Sequence, residues 1–137
     1  MTWKEYDMQT TPPIHLYIQL LPGNEYYISY AYGLWDKSKK EVRRFQSKAP
    51  LRPNIWYTFE NKVRWSTEDK VGYSIPKINS ENLVDENIQG KIYGRNMYNF
   101  MPNYFKMGLY ANNKFNDTIS VLIDDFSYIL RKGETKH

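Results

Sequence analysis

The residues with types and spacing suited to chemistry lie in one run, Asn103-Tyr104-Phe105-Lys106-Met107-Gly108-Leu109-Tyr110. The two-residue period of a β-strand sorts it into two faces. Phe105, Met107 and Leu109 suit a hydrophobic core. Tyr104, Lys106, Gly108 and Tyr110 share the other face. Phenols donate and accept hydrogen bonds, and an ammonium attracts anions. The glycine between them leaves room for a ligand or a second backbone to approach. Such a face is expected to meet a ligand. The same pattern also describes a solvated strand face, since tyrosine favours strands.

The elements that would position this face are strands. Thr10-Thr11-Pro12-Pro13 forces an extended entry into Ile14–Leu20, where Ile14, Leu16, Ile18 and Leu20 alternate with His15, Tyr17 and Gln19. Leu21-Pro22-Gly23-Asn24 is turn chemistry, and a second strand over 25–32 completes a hairpin. Glu41–Gln46 reads as a short strand with Val42 and Phe45 inward. Ile55–Trp65 reads as a half-buried strand, with Tyr57, Phe59, Val63 and Trp65 on one face. Val71–Ile75 follows, ended by Pro76. From Lys77 to Asn103 periodicity fades into a long, polar loop of the kind that often carries function. It contains the basic, glycine-marked run Gly90–Asn96, whose Arg95 and Asn96 suit a carboxylate or sulfate. Thr118–Leu130 reads as a closing strand, and 131–137 as a charged, flexible tail.

Composition agrees with an all-β chain. The 137 residues fit one domain, with 17% aromatic content including 13 Tyr and 4 Trp. Exposed aromatic rings make stacking platforms for sugars or bases. There is no cysteine, which removes disulfides and thiolate metal sites. The net charge of +4 favours anionic partners, whether nucleic acid or acidic polysaccharide. Nucleic acid has only charge and aromatics in its favour, because no RNP-like, helix-turn-helix or zinc pattern occurs. No apolar run is long enough for a transmembrane helix, so no membrane partner is expected, and Met1–Tyr6 has no secretory apolar region. No His/Asp/Glu cluster has metal-ligand spacing.

Trp56-Tyr57-x-Phe59, Val63-x-Trp65-Ser66, the Tyr104–Tyr110 element and Ile123-Asp124-Asp125-Phe126 occur in that order. Together they resemble the C-terminal part of the jelly-roll polysaccharide lyases of the heparin lyase I and glucuronan lyase type. Thr11-Pro12-Pro13-Ile14-His15-Leu16 resembles the strand that opens this region. The resemblance spans roughly Thr10 to Tyr128 and implies an antiparallel β-sandwich, a concanavalin-like jelly roll. It implies β-elimination on a uronic-acid polysaccharide, an acidic polysaccharide partner, and export to the periplasm or beyond. It assigns the acid/base tyrosine to Tyr110 and a substrate-binding lysine to Lys106.

The chemistry of the residues accords with that assignment. β-Elimination needs a neutralised carboxylate, a base for the C5 proton and an acid for the departing oxygen. Lys106 and Tyr110 would stand about 13 Å apart along one strand face, a spacing for neighbouring contacts on one sugar chain. A positive neighbourhood lowers a phenol's pKa towards use as a base. Tyr104 can stack on an adjacent sugar, with Arg95 and Asn96 as further substrate-binding residues.

The resemblance also includes a Gln-x-His-like element before the proline-led strand, and nothing before Pro12 matches it. The two histidines are His15, read as a strand-surface residue, and His137. The jelly roll is therefore read as incomplete at its N-terminal side, with little or no activity expected of the isolated chain. Exposed sheet edges are expected to favour self-association. A non-catalytic jelly-roll module that binds acidic carbohydrate is the competing reading. No cofactor is required. Some members of the family hold a structural calcium, for which Asp124-Asp125 is the acidic pair, but adjacent strand aspartates point to opposite faces.

Overall fold

The computed structural model describes residues 12–35, 42–100, 103, 105, 107 and 122–131. The chain divides into two compact units, Met1–Asn103 and Tyr104–His137. In the first, every regular element among the described residues is a strand, and the strands form two antiparallel sheets.

The first sheet has the order β1-β2-β3, with β1 at Ile14–Leu21, β2 at Glu25–Tyr32 and β3 at Arg43–Gln46. The expected hairpin forms, with Leu21 paired to Glu25 and Ile14 to Tyr32. Pro22, Gly23 and Asn24 close it; φ of +99° at Gly23 and +56° at Asn24 is the left-handed backbone those two residue types accept. The second sheet has β4 (Phe59–Arg64) beside β5 (Tyr73–Ile78). The far edge of β5 is shared by two short strands, β6 (Glu81–Asn82) and β7 (Ile92–Tyr93).

The sheets face each other across one core. Tyr30 and Tyr32 from β2 cluster with Leu83, Val84 and Ile92, and Ile14, Phe45, Phe59 and Ile78 pack around them. The Tyr30 and Phe59 rings lie 6.2 Å apart across the gap. This is the arrangement of an antiparallel β-sandwich.

Several local expectations are corrected. Pro76 does not end its strand but lies buried inside β5, paired with Asn61. Its carbonyl accepts from the Leu83 N–H at 3.1 Å, on the side away from β4. A strand residue turns its N–H and C=O to the same neighbour, so the missing donor falls outside the β4–β5 ladder. The segment after Lys77 is not simply loop, since it supplies β6, β7 and the core residues Leu83, Val84 and Ile92. β4 begins at Phe59 rather than Ile55, leaving Ile55 and Trp56 exposed. On β1 the apolar row behaves unevenly. Ile14 packs on the core, while Leu16, Ile18 and Leu20 remain 43–58% exposed.

In the second unit, residues 122–131 are exposed and pair with no strand. The expected strand over Thr118–Leu130 is therefore absent from its described part. Asp125 has φ of +52°, which breaks the alternation a strand requires. Phe105 and Met107, expected in the core, are exposed, and the Phe105 ring lies 4.7 Å from that of Phe126.

Candidate functional site

Lys106, Tyr110 and Tyr104 lie outside the described residues. Arg95 and Asn96 lie within them and occupy different surroundings. Asn96 is fully buried, and its carboxamide is engaged on three sides. Its oxygen accepts from the Ser66 N–H at 2.8 Å, and its nitrogen donates to the Arg64 carbonyl at 2.9 Å and the Tyr32 hydroxyl at 3.1 Å. Tyr32 in turn donates to the Gly94 carbonyl at 2.6 Å. Asn96 thus ties the segment after β7 to the end of β4 and to β2. Arg95, one residue earlier, turns towards the surface. Its backbone N–H donates to Asp69, whose carboxylate also lies 4.0 Å from the guanidinium.

A second polar cluster spans the sheets next to the first. The Tyr30 and Ser74 hydroxyls are 2.5 Å apart, and Asn61 donates to Tyr30 at 2.8 Å while accepting from Ser74 at 2.7 Å. Burial pushes the Tyr30 phenol up to about 12, outweighing the two hydrogen bonds that pull it down. Tyr32 is raised by burial as well. Both phenols stay protonated at neutral pH and act as structural donors. Their rings are closed off from any polymer, so neither suits proton transfer to a bulky substrate.

The outward face of the first sheet has a different character. By parity with the core residues, it carries His15, Tyr17 and Gln19 on β1, Tyr27, Ser29 and Ala31 on β2, and Arg44 and Gln46 on β3. Register places Ala31 between His15 and Arg44, whose Cα atoms are therefore about 10 Å apart across two strand spacings. The small Ala31 side chain leaves a notch of about 70 Å³ there, bounded also by Gly33, Trp35 and Val42. Partial burial, then the nearby Arg44 guanidinium, holds His15 below the ordinary imidazole range, so its ring is neutral at pH 7. His15 keeps its expected place on the strand surface. Arg44 and Trp35 were not legible as site residues. They lie in separate segments, and only the β2–β3 register brings Arg44 to His15.

The roomier groove, about 610 Å³, runs beside β6 and is lined by Lys48, Glu81, Asn82, Asp85, Asn87 and Ile88, among others. Its two carboxylates face one ammonium, a poor match for a polyanion. Among the described residues, no group of three or more His, Asp or Glu side chains converges on a point. Asp124 accepts from the Asp125 N–H at 2.9 Å, a turn-like local contact.

Comparison with known proteins sets this geometry in a family. No curated protein and no solved structure matched the chain. The family described as polysaccharide lyase matches residues 2–127, which takes in both sheets, the notch and the Tyr104–Tyr110 element. The chain belongs to the polysaccharide lyase family.

Proposed function

We propose that the protein is a polysaccharide lyase-like member of the heparin lyase I and glucuronan lyase type, acting on a uronic-acid polysaccharide by β-elimination. The observation that carries this reading is the family match over 2–127 together with the Tyr104-Phe105-Lys106-x-Gly108-x-Tyr110 element inside it. In this reading Tyr110 exchanges protons with C5 and the leaving O4, and Lys106 binds the substrate's carboxylate. Tyr104 stacks on a neighbouring sugar. Arg95 is a further substrate-binding residue in this reading, whereas Asn96, fully buried, holds the fold and is closed to a substrate. A jelly-roll topology and export from the cell follow from the same resemblance.

A second reading is a non-catalytic module for acidic carbohydrate, favoured by exposed aromatic rings such as Trp35 and Trp56 on a chain of net charge +4. Tyr110→Phe separates the two. Unsaturated product is followed by ultraviolet absorbance on polyglucuronate, alginate and heparin, with binding measured alongside. The lyase reading predicts wild-type turnover that the substitution abolishes, with affinity within twofold. Equal behaviour of wild type and variant in both assays leaves only the binding module.

A further inference from the structure

We propose that the notch between His15, Trp35 and Arg44 is a subsite for one uronate unit, its carboxylate held by Arg44 and its ring laid against Trp35. The inference rests on the acidic-polysaccharide reading above, and adds to it a place on the fold and a set of residues.

The first support is position. The notch opens on the outward face of the first sheet, and that face carries the exposed hydrogen-bonding side chains of Tyr17 and Gln19 on β1 and Gln46 on β3, while Ser29 between them is buried. A sugar chain bears a hydroxyl on most carbons, so such a face can follow it for several units. Gln19 is already steadied there, its side-chain oxygen accepting from Ser29 at 3.1 Å.

The second support is that the two outer residues remain available. Trp35 is 41% exposed, while its backbone N–H is fixed by the Tyr98 hydroxyl at 3.0 Å. The ring is thus anchored at its root and presented to solvent. An exposed indole on an anchored backbone is a stacking surface for the apolar face of a pyranose. Arg44 is exposed and makes no hydrogen bond or ion pair with another described residue. A guanidinium in that state can offer two parallel N–H donors to a carboxylate.

The third support is discrimination by charge and size. The neutral His15 ring can donate to or accept from a hydroxyl without competing for the anion. By register the residue between His15 and Arg44 is Ala31, whose side chain is a single methyl group. A volume of about 70 Å³ admits a carboxylate and excludes a ring, so the ring must lie outside, beside Trp35.

The test is calorimetric titration of the full chain with an oligoglucuronate and with its carboxyl-reduced, neutral counterpart. Arg44→Gln is expected to weaken oligoglucuronate binding at least tenfold, and Arg44→Lys to recover only part of it, because an ammonium cannot bind two oxygens in parallel. Lys62→Gln, a charge-matched change on the outward face of the second sheet, is expected to change affinity less than twofold. Trp35→Ala is expected to weaken binding similarly to Arg44→Gln, and decides the matter if the arginine variant fails to fold. Equal affinities for Arg44→Gln and Lys62→Gln would overturn the notch while leaving the acidic-polysaccharide reading intact. A wild type that holds the neutral oligomer as tightly, or binds neither, would overturn both.

Discussion

Arg43 and Arg44 are adjacent in sequence and opposite in circumstance. Arg43 lies on the core side of β3, donates to the Tyr93 carbonyl in the other sheet, and pairs with Glu86 at 3.5 Å. Arg44 points outward into the notch beside Ala31 and His15. The single-residue step along a strand turns a structural guanidinium into one available to a ligand. At the end of β7 the adjacent Arg95 and Asn96 are both used by the fold, Asn96 wholly buried and Arg95 half-buried beside Asp69. Residue type alone does not reveal which side chain the fold uses; the face and the register do.

The interior side of this comparison should respond to substitution with lost stability. Asn96→Ala leaves the part-buried Ser66 N–H and Arg64 carbonyl without their partner, and should cost about 2–3 kcal/mol in chemical denaturation. Oligoglucuronate affinity, measured where the variant is folded, should stay within twofold. A large loss of affinity at unchanged stability would move Asn96 to the ligand side.

Tyr30 gives the next largest effect, through pH. Its phenol is raised from 10.0 to about 12, so the folded chain keeps a proton that the unfolded chain releases above pH 10. Stability is complete below pH 10 and falls as pH rises towards 12, by about 2–3 kcal/mol in all. Denaturation at pH 9 and pH 11.5 should show the drop, and Tyr30→Phe should flatten it. An unchanged slope in the phenylalanine variant would place the alkaline transition elsewhere. Arg43→Gln should have the smallest effect, about 1 kcal/mol, because its partners are only partly buried.

Much of the first sheet was legible in sequence because its signals are local. Alternation over Ile14–Leu20 and the Pro22-Gly23-Asn24 turn specify the hairpin, and the turn fixes the register that brings Ala31 opposite His15. The second sheet was less legible. Its β6 and β7 are two residues each, too short to show a period, so their pairing with β5 is visible only in three dimensions. Pro76 read as a breaker because the rule concerns a ladder bond that β5 does not make at that residue. Core-like alternation in β1 overstated burial, since Leu16, Ile18 and Leu20 share parity with Ile14 yet stay exposed.

The candidate site shows the same limit. Arg95 and Asn96 stood together in sequence as anion ligands. The burial of Asn96 is created by partners 30 to 64 positions away, which no local window contains. The notch residues His15, Trp35 and Arg44 share no motif, and become neighbours through two strand pairings and the turn after β2. The Tyr104-Phe105-Lys106-x-Gly108-x-Tyr110 element, by contrast, is contiguous, and it points to the family directly.

The most direct measurement is a paired titration and melt of Arg43→Gln and Arg44→Gln against oligoglucuronate. Arg43→Gln is expected to lower the melting temperature with affinity kept within twofold, and Arg44→Gln to lower affinity at least tenfold with the melting temperature kept. Two variants that shift the same quantity by the same amount would contradict the division between a polar interior that holds the sheets and an outward face that meets the polysaccharide.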